Sequence, residues 1–369
     1  MLLNHARVGF LERPRNMNRG LLLGELARIV IVKPLVSILI PAFNAQEWIA
    51  DTLRSAILQT WDRKEIIVVD DGSSDGTLAV VRRFESDGVR VVAQNNQGSS
   101  AARNKAFFIS RGDYIQWLDH DDLLAPDKVE MQIGTLSDFG SKRTLLSSSW
   151  GSFMFRANRA DFAPTALWCD LSPTEFLLRK MEQNLFMQTS AWLVSRELCE
   201  AAGQWDTSMM SDDDGEYFCR VLLACDGVRF VPEAKAYWRR SGTAQGSYIG
   251  HSKRKLEAQW RSMQLHIRYL RSLEDGPRAR AACVTYLQNW MPHFYLDRPD
   301  IFANAQQLAK ELGGLVGVPR LSWKYDWVRS LFGWSLARRM QCLLPNAKWS
   351  IIRLYDKAML RIGADTRLE

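Results

Sequence analysis

The stretch Tyr114-Ile115-Gln116-Trp117-Leu118-Asp119-His120-Asp121-Asp122 ends a short apolar run in three carboxylates within four residues. The run has the length and flanks of a buried strand rather than a helix. Carboxylates gathered at a strand end are costly to desolvate unless positive charge meets them. Oxygen ligands on a tight backbone suit a hard divalent cation, Mg²⁺ or Mn²⁺, which commonly bridges to phosphate. Taken alone, the same residues are explained as well by a solvated turn leading to a helix that starts near Asp127.

The design repeats upstream. Val36-Ser37-Ile38-Leu39-Ile40 is an apolar strand that stops at Pro41-Ala42-Phe43-Asn44. Asn44 with Glu47 three residues later has the form of a capping box, and Ile49, Leu53 and Ile57 form one helical stripe behind it. Ile66 to Val69 is a second strand, ending at Asp70-Asp71-Gly72-Ser73-Ser74-Asp75-Gly76-Thr77, and Leu78, Val81 and Phe84 mark the next helix. Val89 to Val92 is a third, followed by Gln94 to Ser100 and a helix carrying Ala102, Ala106 and Ile109. Strand, polar loop and helix alternating at this spacing predict a parallel sheet. Its polar loops then share the carboxyl edge of the sheet, where open α/β sheets bind ligands.

Four segments, S-I-L-I-P-A-F-N (37–44), V-V-D-D-G-S-S-D-G-T (68–77), N-Q-G-S-S-A-A-R-N (96–104) and W-L-D-H-D-D (117–122), stand in this order and spacing. Together they resemble the nucleotide-sugar-binding half of family 2 glycosyltransferases, and the resemblance extends to about Arg240. It implies the α/β GT-A fold, a Rossmann-like mixed sheet with flanking helices, and an inverting transfer from a nucleotide-sugar, most commonly a UDP-sugar. It implies nucleotide-sugar contacts from Pro41, Ala42, Phe43, Asn44, Asp70, Asp71, Ser73, Arg103, Asp119 and His120. Within that set Asp71 is expected on uracil and Asp119 near the ribose. Asp121, with Asp119, is expected to hold the divalent metal.

Further along, Leu145 to Trp150 is a candidate strand and Pro173 to Met181 a candidate helix. Met187 to Val194 resembles the family's acceptor-side strand, and Ala202-Gly203-Gln204-Trp205-Asp206 its Gly-x-Phe-Asp/Glu turn, with Trp205 in place of phenylalanine. In Ser211-Asp212-Asp213-Asp214-Gly215-Glu216, counting back from Arg220 puts Asp213 on the family's glutamate and Asp214 on its catalytic base. The triple aspartate leaves that register open by one. Carboxylates at a helix start also complement the macrodipole, which by itself explains Asp212 and Glu216. Adjacent acids repel, so at least one of the three is expected to have a raised pKa, which suits a general base working near neutral pH. Many relatives place a histidine after the strand that here reads Ala236 to Arg240. This chain has Arg240-Ser241-Gly242, so Arg239 and Arg240 stand either against phosphate or in solvent, and His251 is a lone histidine nearby.

The 369 residues hold one sizeable domain and an appendage. Expected boundaries are an N-terminal extension (1–33), a GT-A domain (34–250) and a mostly helical C-terminal region (251–369), with helices from about Lys253 to Arg271 and Arg278 to Met291. Six cysteines without C-x-x-C spacing read as reduced thiols, which points to the cytoplasm. Leu21-Leu22-Leu23 is too short to span a bilayer. The net charge of +7 is spread, and acids rather than bases line the proposed groove, which excludes nucleic acid as the partner. Residues 320–369 hold ten Lys or Arg against four Asp or Glu, interleaved with Trp323, Trp327, Trp334 and Trp349. That segment either packs on the catalytic domain or lies on an anionic membrane surface at the inner face. The acceptor is expected to be a saccharide or a lipid-linked one. Two other readings stay open: a non-catalytic sugar- or membrane-binding relative, and a sugar nucleotidyltransferase, which would need a Gly-rich basic loop where Pro41 to Asn44 stands.

Overall fold

Apolar residues alternate along Val36 to Ala42, sending Ile38 and Ile40 to one face of a sheet and Leu39 to the other. The computed structural model describes residues 33–138, 141–241, 252–319 and 323–362. The N-terminal extension and His251 lie outside them. In chain order the elements are β1 (Val36–Ala42), α1 (Ile49–Ile57), β2 (Lys64–Asp71), α2 (Thr77–Arg82), β3 (Val89–Gln94), α3 (Ser99–Ile109) and β4 (Tyr114–Trp117). There follow β5 (Leu123–Leu124), α4 (Lys128–Gly134), β6 (Thr144–Phe153), α5 (Pro173–Glu182), β7 (Val194–Ser195), α6 (Arg196–Ala202), α7 (Asp213–Ala224) and β8 (Gly227–Arg239). The helices α8 (Lys253–Leu273), α9 (Pro277–Phe294), α10 (Pro299–Glu311) and α11 (Asp326–Arg361) close the chain.

The main sheet runs β3-β2-β1-β4-β7, parallel except for β7. β1 pairs with β2 from Val36↔Lys64 to Ala42↔Asp70 and with β4 from Val36↔Tyr114, so the ends of all the parallel strands reach one edge. Ile38 and Ile40 pack with Ile49, Leu53 and Val81 of α1 and α2. On the opposite face Leu39, Ile67 and Trp117 meet Ala102 and Ala106 of α3. That second cluster continues without a break into Leu256, Met263, Tyr286 and Ile301 of α8 to α10. A second sheet, β5-β8-β6, lies beyond β4, with an irregularity in β6 between Ser148 and Ser149.

Two local expectations fail. The helix after Asn44 begins only at Ile49, without a side-chain cap, and Asn44 adopts φ 47°. Its Oδ1 accepts from the Ser74 amide at 2.9 Å, so it ties the first loop to the second rather than capping a helix. Met187 to Val194 is not a continuous strand either: only Val194–Ser195 forms a strand, Leu193 adds a single bridge to Leu146, and Thr189–Ala191 is a 3₁₀ turn. Side chains replace the ladder there, since the Ser190 carbonyl accepts from Gln116 and the Ala191 carbonyl from Gln132 and Ser148.

α11 is interrupted at Gly333, whose φ of 82° and ψ of 169° leave the helical region. Its last stretch presents charge inward. Asp356 accepts from Arg156 Nε at 2.6 Å, Lys357 meets Glu47 at 3.2 Å, and the Arg353 guanidinium donates to the Ser241 carbonyl. Ile351, Leu354, Tyr355 and Ile362 face out instead, each more than 60% exposed. That polarity is the reverse of an ordinary surface helix.

Candidate active site

Four loops meet at the carboxyl edge of the parallel strands. Pro41 and Ala42 end β1 as buried residues, while Phe43 and Asn44 are exposed. The Asn44 amide donates to Ser73 Oγ at 3.0 Å and the Ala45 amide to Thr77 Oγ1 at 2.7 Å, which clasps the first loop to the second. Asp70 is buried, with Oδ2 accepting from the Ser73 amide and Oδ1 left without a partner. Asp71 is drawn into the third loop: it accepts from Gln94 Nε2, the Gln97 amide and the Gly98 amide at 2.7–2.9 Å. A carboxylate offers about four acceptor positions, so one remains for a ligand. His120 is half-buried, and its carbonyl accepts from Thr52 Oγ1.

Arg103, from α3, is the hub. Its side chain is 7% exposed; Nη2 reaches Asp119 Oδ1 at 2.7 Å and Nη1 reaches Asp213 Oδ2 at 2.8 Å. Burial works against its charge, but the two carboxylates outweigh burial and raise its pKa. The guanidinium lies 4.4 Å from the Trp205 ring, which stacks on Tyr217 at 4.1 Å. The Trp205 turn is itself clamped by Asn104, which both donates to and accepts from the Trp205 backbone at 2.9 Å. One arginine thus joins the end of β4 to the start of α7, two regions 94 or more residues apart in the chain.

Of the three aspartates, only Asp214 is taken up neither by Arg103 nor by α8. Asp213 is taken up by Arg103, Ser99 and Ser100. Asp212, at φ 55°, turns away from the sheet and accepts from Ser262 Oγ at 2.6 Å and Gln259 Nε2 at 3.2 Å, both on α8. Ser262 in turn contacts the buried His266, which meets Tyr286 of α9. Burial, followed by the nearby Lys180 charge, pushes His266 down to about 4, so it is neutral there. A side chain at Gly215 would meet Asp212 Oδ1 at 2.1 Å, which explains the glycine. Asp214 receives Thr189 Oγ1 at 3.2 Å and lines a cavity with Lys180, Phe186, Trp192 and Phe218. Burial first, then Asp213 and Asp212, pushes it up to about 7.

Other predicted residues serve the scaffold. Arg239 is not in solvent. It lies buried between the Trp48 and Phe153 rings and donates through Nε to the Asp121 carbonyl at 2.7 Å. Asp122 is fully buried between Gln188 and the Arg239 amide, and burial raises its pKa well above the usual carboxylate range. Glu216 makes a two-pronged pair with Arg220 and accepts from Tyr269. Arg240 lies over Trp238. The brace from α8 to Asp212 has no signature in the sequence, because its partners are about fifty residues away on a segment read only as helical.

No group of three or more Asp, Glu, His or Cys positioned for a metal occurs among the described residues. The Asp121 carboxylate nevertheless faces Ser241, whose hydroxyl donates to Oδ2 at 2.8 Å, and Asp119 keeps one oxygen beyond its arginine. One or two carboxylates with phosphate and water completing the shell is the mode Mg²⁺ favours, so this donor set fits a hard cation bound together with a diphosphate.

Residues 37–201 match the family described as Glycosyl transferase family 2. TuaG of Bacillus subtilis, named for teichuronic acid biosynthesis, is 40% identical over 104 residues, 27% of this chain and 41% of that one. Chondroitin synthase of Escherichia coli is 43% identical over 100 residues, 27% of this chain and 15% of that one. The chain spans less than half the length of these relatives. Residues 1–349 of S. aureus TarS share the fold with a TM-score of 0.58 at 15% identity, over 75% of this chain and 80% of that one. The same protein in complex with UDP gives 0.57 at 15% identity over 89% and 91%. Residues 37–201 thus match glycosyl transferase family 2, and the sheet and its converging loops have the GT-A fold.

Proposed function

We propose that this chain is an inverting glycosyltransferase that moves a sugar from a UDP-sugar to an acceptor hydroxyl, in the assembly of a cell-envelope polysaccharide or glycolipid. The observation that carries the reading is Asp214, a carboxylate held near neutral pKa at the mouth of a cavity, across Arg103 from the nucleotide loops. A single base suits one direct displacement at the anomeric carbon. In this reading Asn44, Ser73 and the free acceptor position of Asp71 hold the nucleotide, and Asp119 the ribose. Asp214 takes the proton of the attacking hydroxyl. Asp121, with Asp119, would hold Mg²⁺ or Mn²⁺, which when bound neutralises a leaving diphosphate as a Lewis acid. Relatives named for teichuronic acid biosynthesis and chondroitin synthesis, and a fold neighbour that binds UDP, support the substrate class.

Calorimetry of UDP in EDTA and then in Mn²⁺ tests the donor half. Affinity is expected to rise at least tenfold with metal, and Asp121→Ala to abolish the difference. Equal affinity in both buffers would remove Asp121 from the metal.

The reversed polarity of the last stretch of α11 supports a place at the inner face of a membrane. Ile351, Leu354 and Ile362 present apolar surface, while the segment around them is rich in Lys and Arg, which fits an anionic bilayer. No helix among the described residues is long and apolar enough to cross a membrane. The full-length protein is expected to sediment with anionic vesicles at moderate salt, and Ile351→Glu with Leu354→Glu to weaken this about tenfold. A double variant that sediments like the parent would assign the helix face to something other than lipid.

A further inference from the structure

The cavity beside Asp214 is small, about 40 Å³, but it opens beside an aromatic surface. Its walls are Phe176, Phe186, Met187, Trp192 and Phe218, and Lys180 of α5 stands among them. Phe186 is 48% exposed, yet it is not a frayed side chain. It sits on a tight turn after α5, where Asn184 adopts φ 51° and the Leu185 amide donates to the Lys180 carbonyl at 2.9 Å. It also packs on Trp150 at 5.0 Å and on Trp238 at 5.9 Å, and those two rings meet edge to face at 6.0 Å. Trp150 and Trp238 come from the paired strands β6 and β8, so the rings rest on rigid sheet. The outcome is a supported aromatic shelf leading to the candidate base.

Two polar features inside this apolar lining lack protein partners. The indole N–H of Trp192 is buried without a hydrogen bond. Lys180 forms no ion pair among the described residues, although Asp212 and Asp214 line the same cavity. Aromatic walls with a few convergent polar groups are the elements from which small-molecule sites are built. Pyranose rings fit such walls, because their C–H faces carry partial positive charge and rest on the negative face of an aromatic ring. A neutral sugar gives the ammonium no partner. An anionic sugar would be repelled by Asp119, Asp212, Asp213 and Asp214 unless a cation met its charge while its hydroxyl turned toward the base.

We propose that Phe186, Trp150 and Trp238 form the platform for the acceptor sugar, and that Lys180 selects an acceptor bearing an anionic group, a carboxylate or a phosphate, next to the reacting ring. This rests on the glycosyltransferase reading and names its acceptor class. The test uses three oligosaccharide probes of matched length: one ending in a uronic acid, one carrying a phosphate, and one neutral. Binding is followed by saturation-transfer NMR and transfer by release of UDP. One or both anionic probes are expected to bind at least tenfold more tightly than the neutral one, and which of the two binds identifies the anion. Lys180→Met is expected to remove that preference, about a tenfold loss for a charge-assisted hydrogen bond. Phe186→Ala should raise KM for every acceptor, and Phe186→Tyr should restore it. UDP affinity on the same preparations separates the outcomes. If UDP binds but no anionic probe does, or if Lys180→Met weakens neutral and anionic probes alike, the acceptor assignment is overturned alone. If UDP does not bind, the reading beneath it falls.

Discussion

Replacing Asp214 by asparagine is expected to lower turnover about 10²- to 10⁴-fold, the usual contribution of a positioned general base. UDP affinity should stay unchanged, because the nucleotide loops lie on the other side of Arg103. The active form is the ionised one, so kcat/KM in the parent should climb with pH through about 7 and level off above it. Asp214→Asn should flatten that dependence. The same substitution should raise stability at high pH. A carboxyl whose pKa is raised in the folded state contributes stability below about 3.8 and loses it as pH rises through about 7. Keeping Asp214 ionised at pH 8 therefore costs at most about 4 kcal/mol, and less because the residue opens onto the cavity. A higher Tm with a lost rate at pH 8 would be the mark of a strained functional group. Asp213→Asn is the register control. Asp213 is enclosed by Arg103, Ser99 and Ser100, so its loss should weaken the hub rather than remove the base. If Asp213→Asn flattens the pH profile and Asp214→Asn does not, the base is Asp213.

The donor half was legible because each βα unit is local. Apolar runs of four to seven residues end in Asn44, Asp71, Gly98 and Asp119, and parallel topology alone brings those ends to one edge. The register of the triple aspartate was not legible, because three identical residues differ only in their distant partners. Asp213 is fixed by α3, Asp212 by α8, and Asp214 is what remains. The same reason explains the misread segment from Met187 to Val194. Its likeness to the family's acceptor-side strand misleads, because Lys128, Gln116 and Gln132 bury polar groups beneath it and take its carbonyls. Arg239 and Arg240 look alike in sequence, yet Arg239 ends β8 and lies between two rings of the scaffold, while Arg240 follows the strand and lies over Trp238.

Removing Arg103 is expected to harm folding and chemistry together. Its guanidinium is buried and joins Asp119 and Asp213, so Arg103→Ala leaves two carboxylates close together without a counter-charge. Breaking a buried pair from one side typically costs about 3–5 kcal/mol, which should appear as a lower urea midpoint at pH 8. Arg103 also holds the Asp214 pKa down, against burial and the neighbouring acids that raise it. Without it, the pH at which the residual rate reaches half its plateau should move above 7. Arg103→Lys should rescue little, because one ammonium cannot bridge both carboxylates while lying flat on Trp205. The informative partner is Asp213→Asn in the Arg103→Ala background. If the penalty comes from orphaned charge, the second substitution should recover part of the stability lost, a coupling of about 0.5–3 kcal/mol between contacting residues. Strict additivity, with an unmoved pH midpoint, would mean that Arg103 acts through packing on Trp205 and that the charge hub does not tune the base.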